Sequence, residues 1–365
     1  MRGLERLDQL YAIGGGPGAN RLGGSAEEDE AHAVVGEWMR EARLEVSVDP
    51  AGNLFGRLRG ERPELPEVWT GSHLDTVPGG GRFDGALGVV GGLEAVERAG
   101  RRVRTLAVVA FRNEEGCVGR GVFGSRALCG GLAEGEAPEL ARSGWLEPRP
   151  SAFVEVHVEQ GPRLEEVGVP LAVVSRIAAM ARGEVVVEGR PGHAGTTPMA
   201  GREDAFVRAA EFALRLRDAA AAVDGAVATV GRAVVEPGAA NVIPARVTLA
   251  VDVRAPDHEG LAAVLAVVPG RCELHAIDAV EMAERPRAAL RAELERLGVP
   301  VLELASGAGH DAGVLASAGV PTAMLFVRSL NGGLSHSPDE LSSEDDIEQA
   351  IAVLTGALAR LASGD

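Results

Sequence analysis

The chain lacks most of what would tie it to a polyanion, a membrane or an oxidising compartment. It contains no lysine, so all 36 of its basic residues are arginine. Set against 53 acidic residues they leave a net charge of −17. That balance argues against nucleic acid and anionic lipid as partners, and a small anionic substrate then needs a local arginine to hold it. Cysteine is scarce, with Cys117, Cys129 and Cys272 only. An odd few such residues read as reduced thiols of a cytoplasmic protein. No apolar run approaches the roughly 20 residues of a membrane span, and no secretory leader is expected at the helix-like start Met1-Arg2-Gly3-Leu4. Aromatics make up 3% of the chain against 46% hydrophobic residues, so the core must be built mainly of Ala, Val and Leu.

What is present suits two domains, as the 365 residues allow. Ser25-Ala26-Glu27-Glu28 reads as a capping box, followed at helical spacing by Ala31, Val34, Val35, Trp38 and Met39. Strands are expected at 44–48, 53–58, 68–72 and 153–158, and a helix at 85–99. The stretch 105–111 is apolar without alternation, as in a strand buried on both faces. From about residue 178 the pattern changes to strand, helix, two strands, helix and strand, a βαββαβ-like unit with one sheet face covered by two helices. The expected division is therefore a discontinuous α/β domain of residues 1–177 and 288–365 and an inserted α+β domain of 178–287. His32, His258 and His275 match no motif and are expected on the surface.

Histidines and carboxylates gather at the ends of the expected strands. His73 and Asp75 lie in Gly71-Ser72-His73-Leu74-Asp75-Thr76-Val77, and Asp84 follows in Gly81-Arg82-Phe83-Asp84-Gly85. Glu114 and Glu115 follow the strand at 105–111; His157 lies in Glu155-Val156-His157-Val158-Glu159-Gln160-Gly161 and His336 in Ser335-His336-Ser337-Pro338. Imidazole nitrogens and carboxylate oxygens together suit a pair of borderline divalent ions and hydrolytic chemistry. Adjacent side chains diverge, so Glu114 and Glu115 cannot easily serve the same ion. One is then free to act as a general base. Taken singly, each histidine could equally be a hydrogen-bonded core residue, and Glu114-Glu115 a solvated pair.

These motifs, with Gly192-His193-Ala194-Gly195-Thr196-Thr197-Pro198-Met199, occur in an order that resembles the amidase/carbamoylase branch of the M20 metallopeptidase family. That branch holds N-carbamoyl-L-amino acid hydrolases, allantoate amidohydrolases and β-ureidopropionases. The resemblance implies a zinc-peptidase-like catalytic domain with a mixed central sheet, an inserted lid and dimerisation domain, and two divalent ions (Mn, Zn, Co or Ni) per subunit. It implies His73, Asp84, Glu115, His157 and His336 as metal ligands, with Asp84 as the bridge. Which histidine serves which ion stays open. It implies Glu114 as base, Asp75 as the carboxylate that orients His73, and Gln160, Asn241 and Arg254 on the substrate's carboxylate and carbamoyl groups. His310, in Gly307-Ala308-Gly309-His310-Asp311, matches a motif grouped with substrate binding, though a loop-stabilising role fits it equally. His193 would reach the partner subunit of a homodimer and polarise the scissile carbonyl. The reaction so implied is hydrolysis of a linear C–N amide, with a small carboxylate substrate and cytoplasmic location. An M20-type aminoacylase or dipeptidase is the alternative. A non-catalytic relative is a further one, and the presence of Glu114 argues against it.

Overall fold

The computed structural model describes residues 2–116, 121–133, 135–137, 148–269 and 272–364. Cys117 lies outside them. In chain order the elements are α1 (Arg2–Ala12), α2 (Ala26–Glu41), β1 (Glu45–Val48), β2 (Leu54–Leu58), β3 (Val68–His73), α3 (Ala86–Ala99), β4 (Leu106–Phe111), α4 (Phe123–Leu128), β5 (Ala152–Val158), α5 (Arg163–Val167) and β6 (Leu171–Ile177). Then come β7 (Ala179–Glu188), β8 (Gly192–His193), α6 (Ala205–Ala221), β9 (Val227–Glu236), β10 (Val242–Ile243), β11 (Arg246–Ala255), α7 (His258–Leu265) and β12 (Cys272–Ile277). The last are β13 (Val280–Glu281), α8 (Glu284–Leu297), β14 (Glu303–Ser306), α9 (Asp311–Ser317), β15 (Thr322–Val327) and α10 (Glu344–Leu361). The chain divides into two compact units, 1–175 with 281–365, and 176–280. No helix among the described residues is long and apolar enough to cross a membrane.

The first unit is built on a nine-stranded mixed sheet in the order β1-β2-β4-β3-β5-β15-β6-β13, with β14 also on β6. Its centre, β4-β3-β5-β15, is parallel, and β2 and β6 flank it antiparallel. Every residue of β3, β4, β5 and β15 is buried, which is why β4 reads as an unbroken apolar run, while β3 and β5 also bury polar residues such as Ser72, His73, Glu155 and His157. The helix α3 packs on β3 and β5 and is itself packed by α10, with Leu93, Val96, Leu354 and Leu358 in the shared core. Close approach is set by glycine: a Cβ at Gly88 would stand 2.5 Å from the Val156 carbonyl oxygen. The C-terminal ends of β4, β3 and β5 lie side by side. In open α/β sheets this is where sites form.

The second unit is a four-stranded antiparallel sheet, β12-β7-β11-β9. Along β11 Val247, Leu249, Val251 and Val253 are buried and alternate with half-buried or exposed residues. The buried set meets Phe212 and Leu216 of α6 and Leu261 and Val264 of α7. A two-stranded ribbon pairs β8 with β10, His193 opposite Val242.

One sequence expectation fails here. His32 is buried, at 8% exposure. Its Nδ1 lies 3.1 Å from the Glu28 carbonyl, one helical turn back, and burial lowers its pKa to about 4. His258 and His275 are exposed.

Candidate active site

The strand ends bring the expected ligands together. His73 closes β3, His157 lies one residue before the end of β5, and Glu114 and Glu115 follow β4 by a short loop. Two overlapping groups result: His73, Asp84 and His157, and Asp84, Glu115 and His336. Within each, one donor atom per residue lies within 4.8 Å of the others. Asp84 belongs to both. Its Oδ1 is 3.1 Å from His157 Nε2 and 3.9 Å from His73 Nε2; its Oδ2 is 3.2 Å from His336 Nε2. Glu115 Oε2 is 3.3 Å from His336 Nε2. In space His73 stands beside His157, and His336 beside Glu115.

The protonation pattern fits a cation. His157 Nδ1 lies 2.9 Å from the Val158 carbonyl and His73 Nδ1 3.0 Å from the Asp75 carbonyl. A carbonyl only accepts, so each Nδ1 carries the hydrogen and a neutral ring turns the Nε2 lone pair toward the carboxylates. A lone pair facing a carboxylate oxygen needs a proton or a metal between them. Asp84 Oδ1 and Glu115 Oε1 are also buried without a hydrogen-bond donor. All of these residues are nitrogen and oxygen donors, as divalent zinc-like or manganese-like ions require. The surrounding charges point the same way: burial opposes charge on His73, but Glu114, Asp75 and Asp84 outweigh it and hold its pKa well above the usual imidazole range. Burial also opposes charge on Asp84, yet the His157 and His336 contacts hold its carboxyl well below the usual range.

Glu114 stands apart from both groups. Its Oε2 is 3.9 Å from His73 Nε2. Burial first, then Asp311 and Glu115, push its carboxyl well up, against the pull of His73. Asp75 sits behind, fully buried. Its Oδ1 accepts from the Glu114 amide at 2.9 Å and its Oδ2 from the Glu115 amide at 3.0 Å. The carboxylate is 3.5 Å from His73 Nδ1, farther than Asp75's own carbonyl. The Asp75 carbonyl and carboxylate thus both face His73 Nδ1, the carboxylate having lone pairs left beside the two amides.

Gln160 donates through Nε2 to Asp84 Oδ2 at 3.0 Å, so it stands at the ligand cluster. Gln160, His336 and Asn113 all have left-handed backbones, with φ of 57°, 53° and 48°. Strain of this kind in non-glycine residues gathers where a side chain must be aimed. His310 is buried with its ring edge-on to His157, centroids 4.5 Å apart, and its Nε2 2.9 Å from Ser306 Oγ. Those contacts fix the His157 ring. In the second unit, His193 is exposed and its Nδ1 accepts from the Gly195 amide at 3.1 Å. Asn241 precedes β10, and its carbonyl accepts from the Ala194 amide at 3.0 Å. Arg254 is half-buried and donates to Asp252 at 2.9 and 3.2 Å.

Several buried charged residues around the cluster were not anticipated. Glu340 accepts from the Phe83 and Asp84 amides at 2.7 and 3.1 Å and from Ser335 Oγ at 2.7 Å. Burial, then Asp84, raise it to about 7. Glu155 joins Ser72 Oγ at 2.6 Å to the Ala312 amide at 3.0 Å. Asp311 accepts from Ser125 Oγ at 2.5 Å, and burial, then Glu155, push it up to about 8. Arg21 is fully buried and donates to the Leu74 carbonyl at 2.8 Å. Glu28 accepts from the Asn113 amide at 2.9 Å. Glu155, Asp311 and Glu340 sit within or beside the motifs, so position alone could have flagged them. Nothing in the sequence separates Arg21 or Glu28 from surface residues.

Comparison with known proteins places this site among hydrolases. The profile of peptidase family M20/M25/M40 matches residues 69–360. An N-carbamoyl-L-amino acid amidohydrolase of Geobacillus stearothermophilus is 37% identical over 403 aligned residues, covering 99% of this chain and 98% of that protein. An allantoate amidohydrolase of Bacillus subtilis is 35% identical, covering 98% and 96%. The crystal structure of a hydantoinase/carbamoylase family amidase from Burkholderia multivorans superposes with a TM-score of 0.84 at 31% identity, covering 99% and 97%.

Proposed function

This chain belongs to peptidase family M20/M25/M40, and from that premise we propose a metal-dependent amidohydrolase that cleaves a linear ureido or carbamoyl C–N bond. The substrate class is an N-carbamoyl-L-amino acid or an allantoate-like ureide, as the names of its relatives suggest. The observation that carries the reading is the pair of donor groups sharing Asp84, with Glu114 close by but in neither. His73 and His157 would hold one divalent ion and Glu115 and His336 a second, Mn, Zn, Co or Ni, with Asp84 between. Such ions, when bound, polarise a carbonyl and acidify water.

The protein's own residues do the rest. Glu114, its carboxyl held high by burial, takes a proton from the attacking water and hands it to the leaving nitrogen as the C–N bond breaks. Gln160, Asn241 and the Arg254 fork hold the carbamoyl and carboxylate groups. His193, whose Nδ1 accepts a hydrogen bond, presents Nε2–H to the carbonyl oxygen. We place that histidine over the site of a partner subunit in a homodimer. The second unit supports a dimer, since β9 is an unpaired sheet edge and Phe206 and Leu214 on α6 are exposed. The free thiols of Cys129 and Cys272 suit a cytoplasmic location.

The test is a panel of N-carbamoyl-L-amino acids, allantoate, β-ureidopropionate, N-acetyl amino acids and dipeptides, read as ammonia or amine release with each metal. Turnover is expected on the ureido compounds, lost on chelation and restored by a divalent ion. Full turnover by metal-free protein overturns the reading, and turnover of only N-acetyl amino acids or dipeptides replaces it with an aminoacylase or peptidase.

A further inference from the structure

Three consecutive main-chain amides, those of Asn113, Glu114 and Glu115, end on two buried carboxylates. Asp75 takes the second and third. The first donates to Glu28 Oε1 at 2.9 Å, from a helix 85 residues earlier in the chain. We propose that Glu28 is a positioning residue for Glu114, acting through the backbone of Asn113.

Glu28 is fully buried. Its second oxygen accepts from the Gly24 amide at 2.6 Å, and Arg112 Nε lies 3.6 Å away. A capping-box glutamate needs only to reach back to the start of its own helix. This one spends an oxygen on a distant loop. The residue it holds is the one that needs holding: Asn113 has φ of 48°, and its backbone sets the direction in which Glu114 leaves β4. The segment before α2 is shaped to that residue, since a Cβ at Gly23 would stand 2.9 Å from Asn113 Cβ. His32 steadies the arrangement from the next turn through its Nδ1 contact to the Glu28 carbonyl.

Without the Glu28 carboxylate the Asn113 amide loses its acceptor, and the left-handed residue can relax. The Glu114 and Glu115 amides both stay on Asp75, so the loss falls on the turn at Asn113, the residue from which Glu114 departs, while Glu115 lies one residue farther from it and the metal site is spared. Misplacing a reacting group by about 1 Å costs on the order of 100-fold in rate.

The proposal rests on Glu114 being the base, so the experiment has readouts that do not need turnover. In metal-loaded protein, Glu28→Ala is expected to lower kcat about 10- to 100-fold, the range for outer-shell contacts, with metal content unchanged and KM changed less than about twofold. The peptide spanning residues 111–116 should exchange deuterium faster. Glu28→Gln, whose side-chain carbonyl still accepts from the Asn113 amide, should recover most of both. If Glu28→Ala does not fold, Glu28→Asp, one methylene short of Asn113, carries the same expectation. Leu358→Ala, a cavity in the core under α10, serves as an equally destabilised control and should keep wild-type kcat. The proposal is overturned by wild-type kcat and exchange in Glu28→Ala, by metal loss that accounts for its deficit, or by an equal deficit in Leu358→Ala. Should Glu114→Gln prove fully active, the base assignment falls, while exchange still decides whether Glu28 holds Asn113.

Discussion

Glu114 and Glu115 are neighbours with the same side chain and opposite surroundings. Glu115 sits 3.3 Å from His336 in a donor group, and Glu114 faces His73 from outside both groups. The division of labour should show in two substitutions. Glu114→Gln is expected to keep metal and substrate affinity and to lower kcat by about 10²–10⁴, the contribution of general acid–base help. Glu115→Gln is expected to lower metal occupancy, measured by elemental analysis. Equal metal contents in the two variants would contradict the assignment. At this scale the sequence was legible where a motif fixes a residue's neighbours: His73, Asp84, Glu115, His157 and His336 do converge. It was not legible for Arg21 and Glu28, because a buried charge is recognised only by the groups that fold over it. His32 misled for the same reason. Glu28, His32 and Gly36 form a row one helical turn apart on α2, beside its apolar stripe, and all three are buried.

That row makes α2 sensitive to acid. The pKa of His32 is about 4 in the folded protein against about 6.5 in an unfolded chain. The unfolded state therefore binds more protons between those values. The stability contributed is fully present above about pH 6.5 and is lost as pH falls toward 4, by up to about 3 kcal/mol. His32→Gln should flatten the pH dependence of chemical denaturation in that window; an unchanged slope would show that His32 is not held neutral. The helix α3 makes the opposite point about local rules. Alanine is a better helix former than glycine by about 1 kcal/mol, yet Gly88→Ala would set a Cβ 2.5 Å from the Val156 carbonyl oxygen and from Ser72 Cβ. A destabilisation of about 1–3 kcal/mol is expected from overpacking, measured as a shift in the denaturation midpoint. The strand β4 was legible because its apolar run without alternation suits only a strand covered on both faces. The helix α8 was less legible: its start falls inside the span expected for the inserted domain, whereas its own Leu290 and Leu294 lie in the core of the first unit.

For the molecule as a whole, the trans placement proposed for His193 makes a prediction that no single variant can. Glu114→Gln and His193→Ala proteins should each be nearly inactive. Mixed by unfolding and refolding, about half the dimers become hybrids with one wholly wild-type site, so roughly a quarter of wild-type activity should return. Hybrids that demonstrably form and remain inactive would place His193 in cis or outside the reaction. The relation between distant parts of the chain was the least legible feature, because neither composition nor periodicity says which segments meet. One such relation has a consequence for how the protein is made. The strand β15 lies between β5 and β6, yet the ribosome makes both flanking strands and the whole 176–280 unit before it. His336 comes later still. A nascent chain thus carries four of the five proposed metal ligands from residue 157 on and waits for His336, beside two open strand edges whose partner is not yet translated. Its central sheet and its proposed metal cradle close only once β15 and then His336 have been made, so this protein should lean on chaperones until that point and load metal only after it.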